Sequence, residues 1–183
     1  MCPRRCHSPA CSPGSLWATS AMSKRVTIFL DIDGVLHPNS VGELEYGPSG
    51  PMVIGQGVCS LQTKLAERVR GKAVDIAIHS TWIYMFDLKR LQDEYLRELS
   101  AATKIHLTNR RIESRALRVA DYIRRRRLML ADILILDDAP KEFASAPQLQ
   151  SRLVICDPAR GIDDPTVLQR IDEFISQGNP AFN

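Results

Sequence analysis

Apolar residues recur along this chain in short unbroken runs, separated by segments in which they return at helical spacing. Val26-Thr27-Ile28-Phe29-Leu30, Val74-Asp75-Ile76-Ala77-Ile78, Ile133-Leu134-Ile135-Leu136 and Leu153 to Cys156 are rich in β-branched and aliphatic types and read as buried strands, with a short one at Lys104 to Leu107. Between them, Val58, Leu61, Leu65 and Val69 predict a helix over 58–70 that stops at Gly71. Leu88, Leu91, Tyr95, Leu96 and Leu99 predict one over 86–99, and Ala116, Leu117, Ala120 and Ile123 one over 113–126. The last helix is expected to take Asp164 as its cap and Pro165 as its first residue, and to end near Gly178. Strands that are apolar throughout and alternate with helices form parallel sheets covered on both faces. The expected fold is therefore α/β, a Rossmann-like three-layer sandwich around a five-stranded parallel sheet.

One segment breaks the alternation. Residues 38–57 carry Gly42, Gly47, Pro48, Gly50, Pro51, Gly55 and Gly57, which predicts a long loop with a short hairpin turning at Gly47-Pro48-Ser49-Gly50. It leaves directly from the first strand, so it is expected to be a flap over whatever that strand presents.

Composition adds limits. The chain has 183 residues, enough for one domain, expected over 23–183 with a disordered tail over 1–22. Its net charge is +3, but Arg4 and Arg5 supply two of those charges in a tail without acids, which leaves the remainder at +1. Charge therefore gives no argument for nucleic acid. Cys2, Cys6 and Cys11 crowd the tail, while Cys59 and Cys156 fall in apolar segments, which is not a disulfide framework and suits a reducing, cytoplasmic setting. Cys2, Cys6, His7 and Cys11 lack the spacing of a zinc module. No run is long enough for a membrane span.

The chemistry sits at the ends of the strands. The first strand runs into Asp31-Ile32-Asp33-Gly34, the second into His79-Ser80-Thr81-Trp82, and the fourth into Asp137-Asp138. Paired acids at the mouth of a buried strand repel each other and are desolvated together, so a cation or a reaction has to be their reason. Ligands in such sheets bind beyond the carboxyl ends of the strands, and all these residues fall there.

Asp31-Ile32-Asp33-Gly34-Val35, a strand ending in Ser80, a basic residue on a helix, and a strand ending in Asp137-Asp138 resemble the four motifs of the haloacid dehalogenase (HAD) superfamily, in order. Ser80-Thr81-Trp82, Leu136-Asp137-Asp138 and Asp157-Pro158-Ala159-Arg160-Gly161-Ile162 resemble in particular the compact HAD domains related to those in RNA-repair proteins. The gaps between motifs hold no full cap domain.

The resemblance implies a phosphatase in which Asp31 attacks phosphorus and Asp33 serves as acid and base. It implies Mg²⁺, held by Asp31, Asp33 through its backbone carbonyl, and Asp137, with Asp138 a ligand or an orienting neighbour. Ser80, or Thr81 if the strand is longer, and the backbone around Gly34 would hold phosphoryl oxygens. The third motif is usually lysine, and here Arg115 is the best substitute, with Arg111 and Lys141 as alternatives. Trp82 and His79 read as packing residues, and the Arg124 to Arg127 run as a helix end suited to positive charge. The expected partner is a phosphorylated small molecule or macromolecular end, not a membrane. The alternatives are a nucleic-acid end-processing phosphatase and a non-catalytic phosphate-binding module.

Overall fold

The computed structural model describes residues 25–178. The cysteines and histidine of the tail lie outside that range.

In chain order the elements begin with β1 (Val26–Leu30), then the hairpin strands β2 (Glu43–Gly47) and β3 (Gly50–Ile54), α1 (Gln62–Val69) and β4 (Val74–Ile78). A 3₁₀ turn over Thr81–Tyr84 follows. A broken helical stretch comes next: α2 (Leu88–Arg90), a π-helical segment over Leu91–Tyr95, and α3 (Arg97–Ala102). After it come β5 (Lys104–Leu107), α4 (Arg115–Arg126), β6 (Ile133–Asp137), α5 (Pro147–Gln150), β7 (Leu153–Ile155) and α6 (Pro165–Gly178).

Five parallel strands lie in the order β5-β4-β1-β6-β7. The chain leaves β1 toward β4 on one side and later returns to β6 on the other, so strand order reverses at β1 and a crevice opens beyond its carboxyl end. Period-two alternation along β1 divides the core. Val26, Ile28 and Leu30 face a cluster with Leu65, Leu99 and Ile171, whereas Phe29 faces Ala116, Val119 and Phe143 on the opposite side. Each of these side chains is essentially buried, worth roughly 1.5–3 kcal/mol for the larger ones. The result is the expected three-layer α/β sandwich, with no full cap domain between its elements.

The hairpin forms where the glycines and prolines place it, with Glu43 opposite Ile54 and Gly47 opposite Gly50. Two helices differ from expectation. The one expected over 58–70 begins only at Gln62, because Cys59 takes a left-handed φ of 53° and the Leu61 N–H donates to Leu36 O at 3.0 Å, tying the approach to the loop after β1. The helix expected over 86–99 is interrupted. Its π segment and the break at Leu96 leave backbone groups without helical partners, and the Gln62 side chain supplies them. Its Nε2 donates to Tyr95 O at 2.7 Å, and its Oε1 accepts from the N–H groups of Glu98 and Leu99. The final helix has its expected cap, the Asp164 carboxylate accepting from Thr166 N at 2.8 Å.

Among the described residues no helix is long and apolar enough to cross a membrane. Cys59 and Cys156 are free and buried.

Candidate functional site

Three strand ends converge on the crevice. The N–H of Asp31, the residue after β1, donates to Leu136 O at 3.0 Å, and the N–H of His79, the residue after β4, donates to Leu30 O at 3.1 Å. Parallel pairing thus holds Asp31, Ser80 and Asp137 side by side, each fully buried.

Arg115 joins two of them. Ser114 caps α4, accepting from Leu117 N, and sets Arg115 on its first turn. Its Nη1 donates to Asp31 Oδ2 and lies 3.0 and 3.1 Å from the two carboxylate oxygens of Asp137. Arg111 and Lys141, the other basic candidates, are exposed. Among the described residues, Arg115 is the cation that reaches the buried acids.

Burial dominates the electrostatics. It pushes the Asp31 carboxyl up to about 7, and the charge of Asp137 adds to the shift; Arg115, the Ser80 hydroxyl and the Ile32 N–H work against it. Asp137 is also raised, chiefly by burial and further by Asp138, with Arg115 and the Ala139 N–H opposing. For Arg115, burial works against the charge, yet Asp31 and Asp137 outweigh it and raise its pKa.

Asp31, Asp137 and Asp138 each place a carboxylate oxygen within 4.8 Å of the others. The donors are all hard oxygens, and two of them are acids under electrostatic pressure that a cation relieves, so the trio fits Mg²⁺. Asp138 is oriented by Asn39, whose Nδ2 donates to its Oδ2 at 2.6 Å. It packs so closely over Gly34 that a Cβ there would stand 2.4 Å from Oδ2, and Gly34 itself holds φ +67°. Glycine is therefore required at position 34 by the approach of an acid as well as by the turn.

The Asp33 carboxylate lies outside this trio. Both its oxygens accept from Trp82 Nε1, at 3.0 and 2.9 Å, and His37 Nε2 stands 3.3 Å from Oδ1. His37 is buried, with its Nδ1 accepting from Cys59 N and its Nε2 turned toward the acid without making a hydrogen bond. Trp82 packs against Phe86 and Tyr95 while its indole N–H holds Asp33, so it joins core and site.

Ser80 accepts from Trp82 N at 3.4 Å, capping the 3₁₀ turn, and stands beside Asp31. Thr81 is exposed on that turn. His79 is wholly buried, pushed down to about 3 by burial and by the charges of Arg115 and Arg118, and is therefore neutral. The segment Asp157 to Ile162 braces the site. Ile162 N donates to Val35 O at 3.0 Å and Asn39 N donates to Pro158 O at 2.8 Å, so the loop after β7 holds the residue that orients Asp138.

Comparison with protein families matches residues 27–167 to the family described as the HAD domain in Swiss Army Knife RNA repair proteins. The chain belongs to this family. Comparison with curated proteins finds no match. In this HAD domain the resemblance read from Asp31, Ser80 and Asp137 holds at the level of family and fold, and the basic residue beside the buried acids is an arginine on the first turn of α4.

Sequence reasoning passed over His37, Asn39 and Arg118. The signal for His37 was a histidine four residues after Asp33, inside the loop that leaves the acids. For Asn39 and Arg118, whose neighbours come from distant segments, no local pattern existed.

Proposed function

We propose that this HAD domain is a phosphate monoester hydrolase working through Asp31. One observation carries the reading: a buried carboxylate at the sheet's switch point, paired with an arginine and standing beside two further acids that can hold a cation. An acid under such pressure persists because a substrate and a metal complete its environment.

Asp31 would attack phosphorus in line and carry the phosphoryl group as an aspartyl-phosphate. Asp31, Asp137 and Asp138 would hold Mg²⁺, with the Asp33 backbone carbonyl as a further donor; the ion supplies charge neutralisation for an anion meeting an anion. Arg115, already on Asp31, would grip the phosphoryl oxygens through the fork of its guanidinium. The Ser80 hydroxyl, which now bonds Asp31, and the N–H groups of Asp33 and Gly34 would donate to the same oxygens once the phosphoryl group is in place. Asp33, held by Trp82 with His37 beside it and 42% exposed, would pass a proton to the leaving oxygen and take one from the attacking water. The β2–β3 hairpin would act as the flap of an otherwise open site.

The test is turnover of p-nitrophenyl phosphate with and without Mg²⁺. Metal-dependent release that disappears in Asp31→Asn supports the reading. Undiminished activity in that variant refutes the mechanism, and metal binding without turnover of any ester in a broad panel would favour a phosphate-binding module.

A second reading, of the substrate, is favoured by the family's description. An RNA end bearing a phosphate suits a site without a cap domain, and phosphorylated oligoribonucleotides would then outcompete small esters at low salt.

A further inference from the structure

We infer that one flank of α4, with the loop 108–114 that leads into it, forms a track for single-stranded RNA continuing away from the phosphate held at Asp31. The inference rests on the phosphatase reading for its starting point and adds a surface to it.

Arg115, Arg118, Tyr122 and Arg126 follow one another at spacings of three and four, so they line one side of the helix. The stripe starts on the nucleophile and runs for roughly 17 Å at the rise of an α-helix, room for a few nucleotides. Two of its arginines are stacked on tyrosines. The Arg118 guanidinium lies 5.1 Å from the Tyr84 ring and the Arg126 guanidinium 5.5 Å from the Tyr122 ring.

Arg118 is the odd member. It is buried, yet its Nε and Nη1 have no hydrogen-bond partner, an arrangement the fold alone gives no reason to keep. Tyr84 covers it, with its hydroxyl donating to Ile112 O at 3.2 Å and 46% of the residue still exposed. A ring backed by a cation and open on its other side is a stacking platform for a base.

Farther along, a cavity of about 330 Å³ is lined by Leu107, Thr108, Asn109, Tyr122, Arg125 and Arg126, with Asp121, which is neutralised by Arg124 and Arg125, on its wall. The loop 108–114 and α4 connect this cavity to Arg115 along the chain. Arg124 and Arg125 are engaged by Asp121, at 2.7 and 2.8 Å. Arg110, Arg111 and Arg126 have no carboxylate partner among the described residues, which leaves their charge for phosphates outside the protein. The exposed Arg110, Arg111 and Arg126 offer contacts for phosphates and the open Tyr84 ring one for a base, and the polar groups of Thr108 and Asn109 suit a 2′-hydroxyl.

The test compares wild type with Arg110→Glu, Arg126→Glu and the double variant. Binding of a fluorescent single-stranded RNA octamer carrying a terminal phosphate is read by anisotropy, and turnover is read on that RNA and on p-nitrophenyl phosphate. The double variant is expected to bind the RNA about tenfold more weakly at low salt, with a salt slope shallower by about 1.4 if two phosphate contacts are lost. Its turnover of p-nitrophenyl phosphate is expected to stay at the wild-type level. RNA binding unchanged in the double variant overturns the track, as does an equal loss on a phosphopeptide of matched charge. Absence of turnover on both esters by wild type overturns the phosphatase reading instead, and the anisotropy series still decides the track.

Discussion

Replacing Gly34 by alanine tests whether Asp138 is positioned by the loop that carries the first two acids. The new Cβ would stand 2.4 Å from Asp138 Oδ2, 2.6 Å from its Cγ and 2.9 Å from its Cβ. Ordinary carbon contacts lie at about 3.5–4.0 Å, so the carboxylate has to retreat by about 1 Å. Its backbone cannot follow, because the neighbouring residue is pinned into the sheet by Cys156 N on Asp137 O at 3.0 Å. The side chain therefore rotates and loses Asn39, a hydrogen bond worth about 0.5–1.5 kcal/mol. A left-handed φ adds about 1–2 kcal/mol for any residue with a Cβ. Together Gly34→Ala should cost about 1.5–3.5 kcal/mol. Gly71→Ala serves as reference, since Gly71 has a similar φ of +71° with nothing within 4 Å of a Cβ, and should show the backbone cost alone. Urea unfolding in EDTA, followed by tryptophan fluorescence, measures both in wild type and in Asp138→Ala. In the second background most of the clash is gone, so the Gly34→Ala cost should fall toward that of Gly71→Ala and leave a coupling of about 1 kcal/mol. A coupling within the usual additivity error of about 0.3–0.5 kcal/mol would show that the contact does not position Asp138.

Other expectations follow from the same geometry. Trp82→Phe keeps the packing on Phe86 and Tyr95 but removes the donor on Asp33, so turnover should fall more on alkyl than on p-nitrophenyl phosphate, whose leaving group needs no proton; equal losses on both would count against the role given to Asp33. Mg²⁺ at a hundredfold excess over its Kd should add about 2.7 kcal/mol to wild-type stability and far less to Asp137→Asn, as read by thermal unfolding; equal gains would place the ion elsewhere. Burial, with the charge of Asp33 adding to it, pushes the Cys59 thiol from 9.0 up to about 12. Below pH 9 both states keep the proton. From there to pH 12 only the unfolded chain loses it, so stability should fall with rising pH by up to about 1.4 kcal/mol per unit. The unfolding free energy of wild type minus that of Cys59→Ala should therefore decline between pH 8 and 10.5, and a flat difference would contradict the burial.

What the sequence made legible followed from local pattern. β1 was readable because five residues without a charge run straight into two acids, and Arg115 because it opens an amphipathic helix just before the last acidic strand. The helix over 86–99 was misjudged for a tertiary reason: its interruption is tolerated only because Gln62, distant in sequence, satisfies the backbone groups it exposes. In the same way nothing near Asp33 announces that its carboxylate turns toward Trp82 and His37 while its neighbour Asp31 faces Arg115. Spacing places two acids at one mouth. Only the packing of β4 and the loop after β1 decides which way each of them points.

Tyr95 gives the hairpin a mechanical link to the chemistry. Its hydroxyl accepts from Val53 N at 3.0 Å, while its ring meets the Trp82 ring edge-on with centroids 5.0 Å apart. One side chain thus holds the hairpin at one end and leans at the other on the tryptophan that holds Asp33. The backbone of the hairpin and the donor on the Asp33 carboxylate therefore share one support, so a change of Tyr95 that loosens Val53 also loosens the packing behind Trp82.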